Sequence, residues 1–207
     1  MTPENQKQRE RFVEILHSTG IENIDDIIAY LDSLDFFEQP ASARNHFNFP
    51  GGLARHSLNV YDMAMKIRGS LIELRPDAEA ALAPESVALA ALLHDVCKAD
   101  IYRLVTRKQR NEIGVWEDVK AYEVDYSNLP VGHGEKSVMM LLRAGLDLED
   151  DELLAIRWHM APYDLPVQSI EMDKSFRKAQ EKTPLVALIH TADTLAAQVL
   201  EHDAFNH

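Results

Sequence analysis

Between Val87 and Leu93 the chain reads Val-Ala-Leu-Ala-Ala-Leu-Leu, and His94-Asp95 follows at once. A run that is apolar on every side has no face to give to water, so it reads as a helix buried all round. Pro84 suits its first turn, where a missing N–H breaks no helical bond. Any fold for this chain must wrap that helix with others. It must also accommodate an imidazole and a carboxylate at the helix's inner end. An ionised carboxylate there is costly unless something pairs with it. A divalent cation pairs with both groups, because neutral imidazole and carboxylate are both good ligands. One His-Asp dipeptide is weak evidence, so the reading depends on partners elsewhere.

Two more helices supply partners. Residues 53–74 read as a long helix in which His56 shares a face with Val60, Met63 and Ile67, so His56 points inward. Thr183 and Pro184 open a last helix, running to about His202, on which Asp193 shares a face with Val186, Ile189, Ala196, Ala197 and Leu200. His56, His94, Asp95 and Asp193 therefore offer two imidazoles and two carboxylates, a set that suits an octahedral divalent ion with positions left for water and substrate. His133 begins a helix between Gly132 and Gly134, and His159 ends another. Both could reach the same cleft and hold a second ion, with Asp95 bridging. Two ions ~3.5–4 Å apart form a clamp for phosphoryl transfer.

The remainder reads mostly as helix. Residues 4–18 and 24–37 form two amphipathic helices, closed by Gly20 and Pro40, and residues 1–40 are expected to pack as a decoration on a unit spanning 41–207. Further helices are expected over 133–144 and 149–160, followed by a loop with Pro162, Tyr163 and Pro166. Residues 101–126 alternate loosely and read as a small β-hairpin or flap. The fold class is all-α with that one exception.

Charge and cysteine use narrow the function. A net charge of −13 argues against an extended nucleic-acid surface. Against that background, Lys98 to Arg110 holds five basic residues and one acid, either a solvated loop or a phosphate-facing rim. Cys97 is the only cysteine, so neither an intrachain disulfide nor a thiolate zinc cluster can form, which fits a reducing cytoplasm. The polar stretch Met1 to Arg11 lacks a signal-peptide core, and no run is expected to reach the ~20 apolar residues of a membrane span. A soluble cytoplasmic protein with no membrane partner is expected, with oligomerisation left open.

The order His56 … His94-Asp95 … Asp193 resembles the HD superfamily of metal-dependent phosphohydrolases. Gly51-Gly52-Leu53-Ala54-Arg55-His56-Ser57-Leu58 is similar to a Gly-Gly-Leu-x-x-His-[Ser/Thr]-Leu segment in the HD domains of bacterial 3′→5′ exoribonucleases, and His94-Asp95-Val96-Cys97-Lys98 is similar to their His-Asp-x-Gly-Lys. Gly132-His133 and Trp158-His159 fall where multi-histidine members place ligands of a second metal. Leu188 to Asp193 resembles the closing helix. The likeness spans roughly residues 45–200. Cys97 replaces a glycine, the exoribonucleases' nucleic-acid-binding barrel is missing, and Met160 stands where many two-metal members carry a polar residue or glycine.

The resemblance implies a helical HD bundle holding one or two divalent ions (Mn, Mg, Fe, Ni or Zn) on His56, His94, Asp95, His133, His159 and Asp193. It implies Asp95 and Lys98 as catalytic groups, with Lys98 offsetting phosphate charge. His46, Lys98, Arg103 and Tyr163 are the expected substrate contacts, with Asn48 and Arg157 as further candidates. The implied activity is hydrolysis of a small phosphate ester, such as a nucleotide, by a metal-bound hydroxide. A non-catalytic metal- and nucleotide-binding module and a di-iron oxygenase on the same scaffold are the alternatives.

Overall fold

A computed structural model describes residues 1–164 and 169–202. Pro166, expected in a loop, lies outside them, as do residues 203–207. Helix α1 (Pro3–Ser18) starts where the sequence places it: Thr2 accepts a hydrogen bond from the Asn5 N–H at 3.1 Å, and Pro3 sits in the first turn. Helix α2 (Ile24–Ser33) ends earlier than expected. Asp35 adopts a left-handed conformation (φ 53°) and starts a short 3₁₀ turn, Phe36–Glu38. That turn lets Phe36 and Phe37 both face Phe12, with ring centroids 5.3–5.4 Å apart. The three rings join one hydrophobic core with the rest of the helical body.

Helix α3 (Gly52–Leu74) lies against helix α4 (Pro84–Leu93), and every residue of α4 from Val87 to Leu93 is buried. Burying each Leu or Val side chain contributes about 1.5–3 kcal/mol. The chain then turns through His94–Cys97 into the short helix α5 (Lys98–Ile101). The expectation that no run approaches membrane-spanning length needs correction. Ala80–Ile101 is long and apolar enough by composition, but it is 67% buried inside the fold. A 3₁₀ turn, Pro84 and the His94–Cys97 turn divide it.

Strands β1 (Tyr102–Arg110) and β2 (Trp116–Val124) pair antiparallel, with Arg103 opposite Glu123 and Lys108 opposite Asp118. The hairpin falls within the expected span 101–126. Most of its residues are solvent-exposed on both faces, so no apolar period marks them.

Helix α6 (His133–Arg143) packs on helix α7 (Asp150–Trp158), which opens with a reciprocal Glu149/Glu152 capping box. Helix α8 (Ile170–Lys182) was not foreseen. Only Phe176 and Ala179 of it are buried, too few to set up a visible period, and its start is a Ser169 cap. Helix α9 (Pro184–Leu195) packs on α3, α4 and α7. It continues as a π-helical turn over Ala196–Leu200. The expected α-helix to His202 would have turned Leu200 inward. Instead Leu200 is 47% exposed and Glu201 is buried.

Candidate metal centre

Close backbone packing brings the ligands together. A Cβ at Gly134 would lie 2.1 Å from the Arg157 carbonyl oxygen, so only glycine lets the start of α6 meet the end of α7. Those are the ends that carry His133 and His159. A Cβ at Gly52 would likewise lie 2.1 Å from the Phe47 carbonyl oxygen. Glycine there seats the loop carrying His46 against α3, one turn before His56.

The result is a row of imidazoles. Ring centroids are 5.0 Å apart for His46–His56, 5.3 Å for His56–His94, 4.8 Å for His94–His159 and 5.5 Å for His133–His159. Asp95 sits among them with its two oxygens divided. Oδ2 lies 3.3 Å from His94 Nε2, 3.6 Å from His56 Nε2 and 2.5 Å from Lys98 Nζ. Oδ1 lies 2.6 Å from His133 Nε2 and 3.4 Å from His159 Nε2. Asp193 Oδ1 completes the first group, 3.2 Å from His56 Nε2 and 4.0 Å from His94 Nε2.

The tautomers are fixed from behind. His94 Nδ1 donates to the Ala91 carbonyl at 2.8 Å, and His159 Nδ1 to the Ile156 carbonyl at 2.7 Å. His56 Nδ1 donates to the Glu201 carboxylate at 3.0–3.1 Å, and Asn59 holds that carboxylate at 2.9 Å. A carbonyl only accepts, so the opposite Nε2 of His94 and His159 carries a bare lone pair. The Nε2 atoms of His56, His94 and His159 are buried without a hydrogen-bond partner among the described residues, and all three face the two aspartates. Buried ring nitrogens without a partner are rare in folded proteins. Aimed together beside carboxylates, they fit a divalent cation.

The electrostatics agree. Burial alone would raise the Asp95 pKa, but Lys98, His94 and His133 outweigh it and hold the carboxyl well below its usual range. Asp193 is likewise held low, with His56 and His94 overcoming burial. Burial disfavours a charged His56, yet Asp193 and Glu201 raise its pKa to about 9. A metal ion takes the place of such a proton. Burial lowers the His159 pKa despite Asp95. Lys98 is stabilised as an ammonium, Asp95 outweighing the burial that opposes it.

All six expected metal residues, together with Lys98, therefore converge. His46, Lys98 and Tyr163 line a cleft of about 570 Å³ that opens onto His159 and Asp193. Arg103 does not line it: its Nε lies 3.8 Å from Asp125 Oδ2. Arg157 is paired with Glu135 and lies over the Trp158 ring, outside the cleft lining. Glu201 was missed from the sequence. In an α-helix it would lie about 80° away from Asp193 around the axis, and the π turn returns it to the same side. A buried acid near a helix end was the only signal.

Across the known proteins, no curated protein and no solved structure gives a match. A family model described as HD domain matches residues 53–198, which include His56, the His94-Asp95 pair, His133, His159 and Asp193. With more than half of the chain covered, and these residues drawn into one cluster, the chain belongs to the HD domain family, a superfamily of metal-dependent phosphohydrolases.

Proposed function

We propose that the protein hydrolyses a phosphate ester of a nucleotide or another small phosphorylated metabolite, using one or two divalent ions. The observation that carries this is the division of Asp95, one oxygen toward His56 and His94, the other toward His133 and His159. His56, His94, Asp95 and Asp193 would hold one ion, and Asp95, His133 and His159 a second. Bound there, such ions supply Lewis-acid activation of the phosphate and of water.

The chain's own groups do the rest. Lys98 stays protonated and sets a positive charge beside Asp95, where it offsets charge that grows on phosphate oxygens in the transition state. His46 is half-buried, and this burial first, then the nearby His56 and Lys98, lowers its pKa to about 4. It is therefore neutral at pH 7 and serves as a hydrogen-bonding wall rather than as a cation. Tyr163, 79% exposed at the cleft mouth, is placed to meet the substrate as it enters. The Gly-Gly-Leu and His-Asp segments support kinship with exoribonuclease HD domains. A lone buried cysteine supports a cytoplasmic setting.

The test is release of phosphate or nucleoside from a panel of mono- and diesters, with Mn²⁺, Mg²⁺, Ni²⁺, Fe²⁺ or Zn²⁺ added. Metal-loaded protein that turns over none of them defeats the proposal. Anaerobically purified protein with a di-iron Mössbauer signature and no ester turnover would instead favour oxygen chemistry.

A further inference from the structure

Cys97 lies on the buried side of the metal centre. It is 0% exposed, follows Asp95 by two residues and sits in the turn between α4 and α5. Its Sγ, an Asp95 carboxylate oxygen and a ring nitrogen of His133 all lie within 4.8 Å of one another. Its N–H donates to Ser137 Oγ at 3.2 Å. Ser137 stands one turn along α6 from His133, so that bond ties the cysteine backbone to the helix that carries the imidazole. The thiol is not part of the cleft wall, which His159 and Met160 help to line. It reaches the ligand group from behind and leaves the cleft side open to substrate.

A buried cysteine is most often a small apolar filler. A filler needs neither a carboxylate nor an imidazole beside its sulfur. The same ligand group also holds a buried atom with nothing to meet. His159 is 0% exposed, and its Nε2, without a hydrogen-bond partner among the described residues, lies 3.4 Å from Asp95 Oδ1. His133 Nε2 lies 2.6 Å from that oxygen. Met160, next to His159, brings only a thioether, a weak acceptor. The set formed by His56, His94 and Asp95 holds nitrogen and oxygen alone. Sulfur is therefore found on one side of Asp95 and not on the other.

We propose that the Cys97 thiolate is a ligand of the second ion, so that this site takes Zn²⁺ in preference to the harder Mg²⁺ or Mn²⁺. On binding, the S–H bond breaks, the sulfur gives an electron pair to the ion, and the proton leaves to solvent. One cysteine cannot build a thiolate cluster, but it can complete a mixed set. The inference rests on the two-ion reading of Asp95 above and adds one ligand and a metal preference.

The test is zinc X-ray absorption on wild type and Cys97→Ala, each refilled with two equivalents of Zn²⁺ under reducing conditions. Wild type should show a sulfur shell at ~2.3 Å beside nitrogen and oxygen at ~2.0–2.2 Å. That shell should vanish in Cys97→Ala, and zinc affinity at the second site should fall at least about tenfold, with a smaller loss for Mn²⁺. A thermal melt of the metal-free proteins checks folding, and if the variant does not fold the wild-type spectrum decides. Wild type that takes up zinc through nitrogen and oxygen alone, or takes up none, overturns the thiolate. So does a sulfur shell that persists in Cys97→Ala. Equal losses of zinc and manganese affinity overturn the metal preference. None of these readouts uses turnover, so the phosphohydrolase reading stands or falls separately on its ester panel.

Discussion

The helical body and the hairpin solve the same problem in opposite ways. Strands β1 and β2 leave most of their side chains in water, and their backbone groups face one another in a regular ladder. Little there needs anything beyond solvent and the paired strand. The body instead buries His56, His94, Asp95 and His159 to 2% exposure or less, and the Nε2 atoms of those three histidines find no hydrogen-bond partner among the described residues. In one region polar groups are satisfied by the chain and water. In the other their arrangement calls for a cation. Metal binding should therefore be sensitive to single atoms in the body and tolerant of change in the outer hairpin.

The largest effect expected is for Asp95→Asn. Losing one charged oxygen from a carboxylate that faces both groups should remove bound metal, measured by elemental analysis. It should also lower kcat/KM on the order of 10³-fold, about 4 kcal/mol of transition-state stabilisation. Retained metal with near-normal turnover would erase the contrast between the two regions. Next is metal removal. If the folded site binds its ion with the metal at about 1,000 times Kd, the linkage is worth about 4 kcal/mol. Stripping it should then lower Tm by roughly 8–16 °C for a chain of this size. A melt indifferent to chelator would show that the orphaned nitrogens are content as they stand.

Glu201→Gln comes third. The amide still accepts from His56 Nδ1 but brings no charge to the ring, so metal affinity should fall about 10–100-fold while the fold persists. An unchanged affinity in a metal titration would reduce Glu201 to a packing residue. The smallest effect is expected at the hairpin. Trp116, 59% exposed with Arg110 over its ring, should cost about 0.5 kcal/mol or less when changed to Ala. A loss several times larger in a urea titration would mean that the hairpin is part of the cooperative body.

What could be read from the sequence follows from which side chains are buried. His56 and Asp193 lie on regular helices with apolar stripes, so spacing alone aimed them inward. His94-Asp95 stood out because the run before it admits no solvent face. His133 and His159 needed the family likeness, since helix ends carry no period of their own, and the Gly134 contact that joins them is a property of packing. Three features left no trace. Asp35 reverses the chain with one left-handed residue of a type not bound to that conformation. Helix α8 is mostly solvated, so its pattern is hardly distinct from a loop's. Arg103 belongs to a basic stretch, alternation puts it on the same face of β1 as Arg107, and only the fold reveals that it faces Asp125.

The turn Ala196–Leu200 holds one residue more than an ordinary helical winding would. A single-codon deletion there would let the helix relax to its common form and swing Glu201 by about 100°. Every imidazole and both aspartates would keep their places in the gene and on their helices, yet the His56 ring would lose the anchor behind Nδ1. The lesion would read as a distant, innocuous indel while it blunted the centre's grip on its ion.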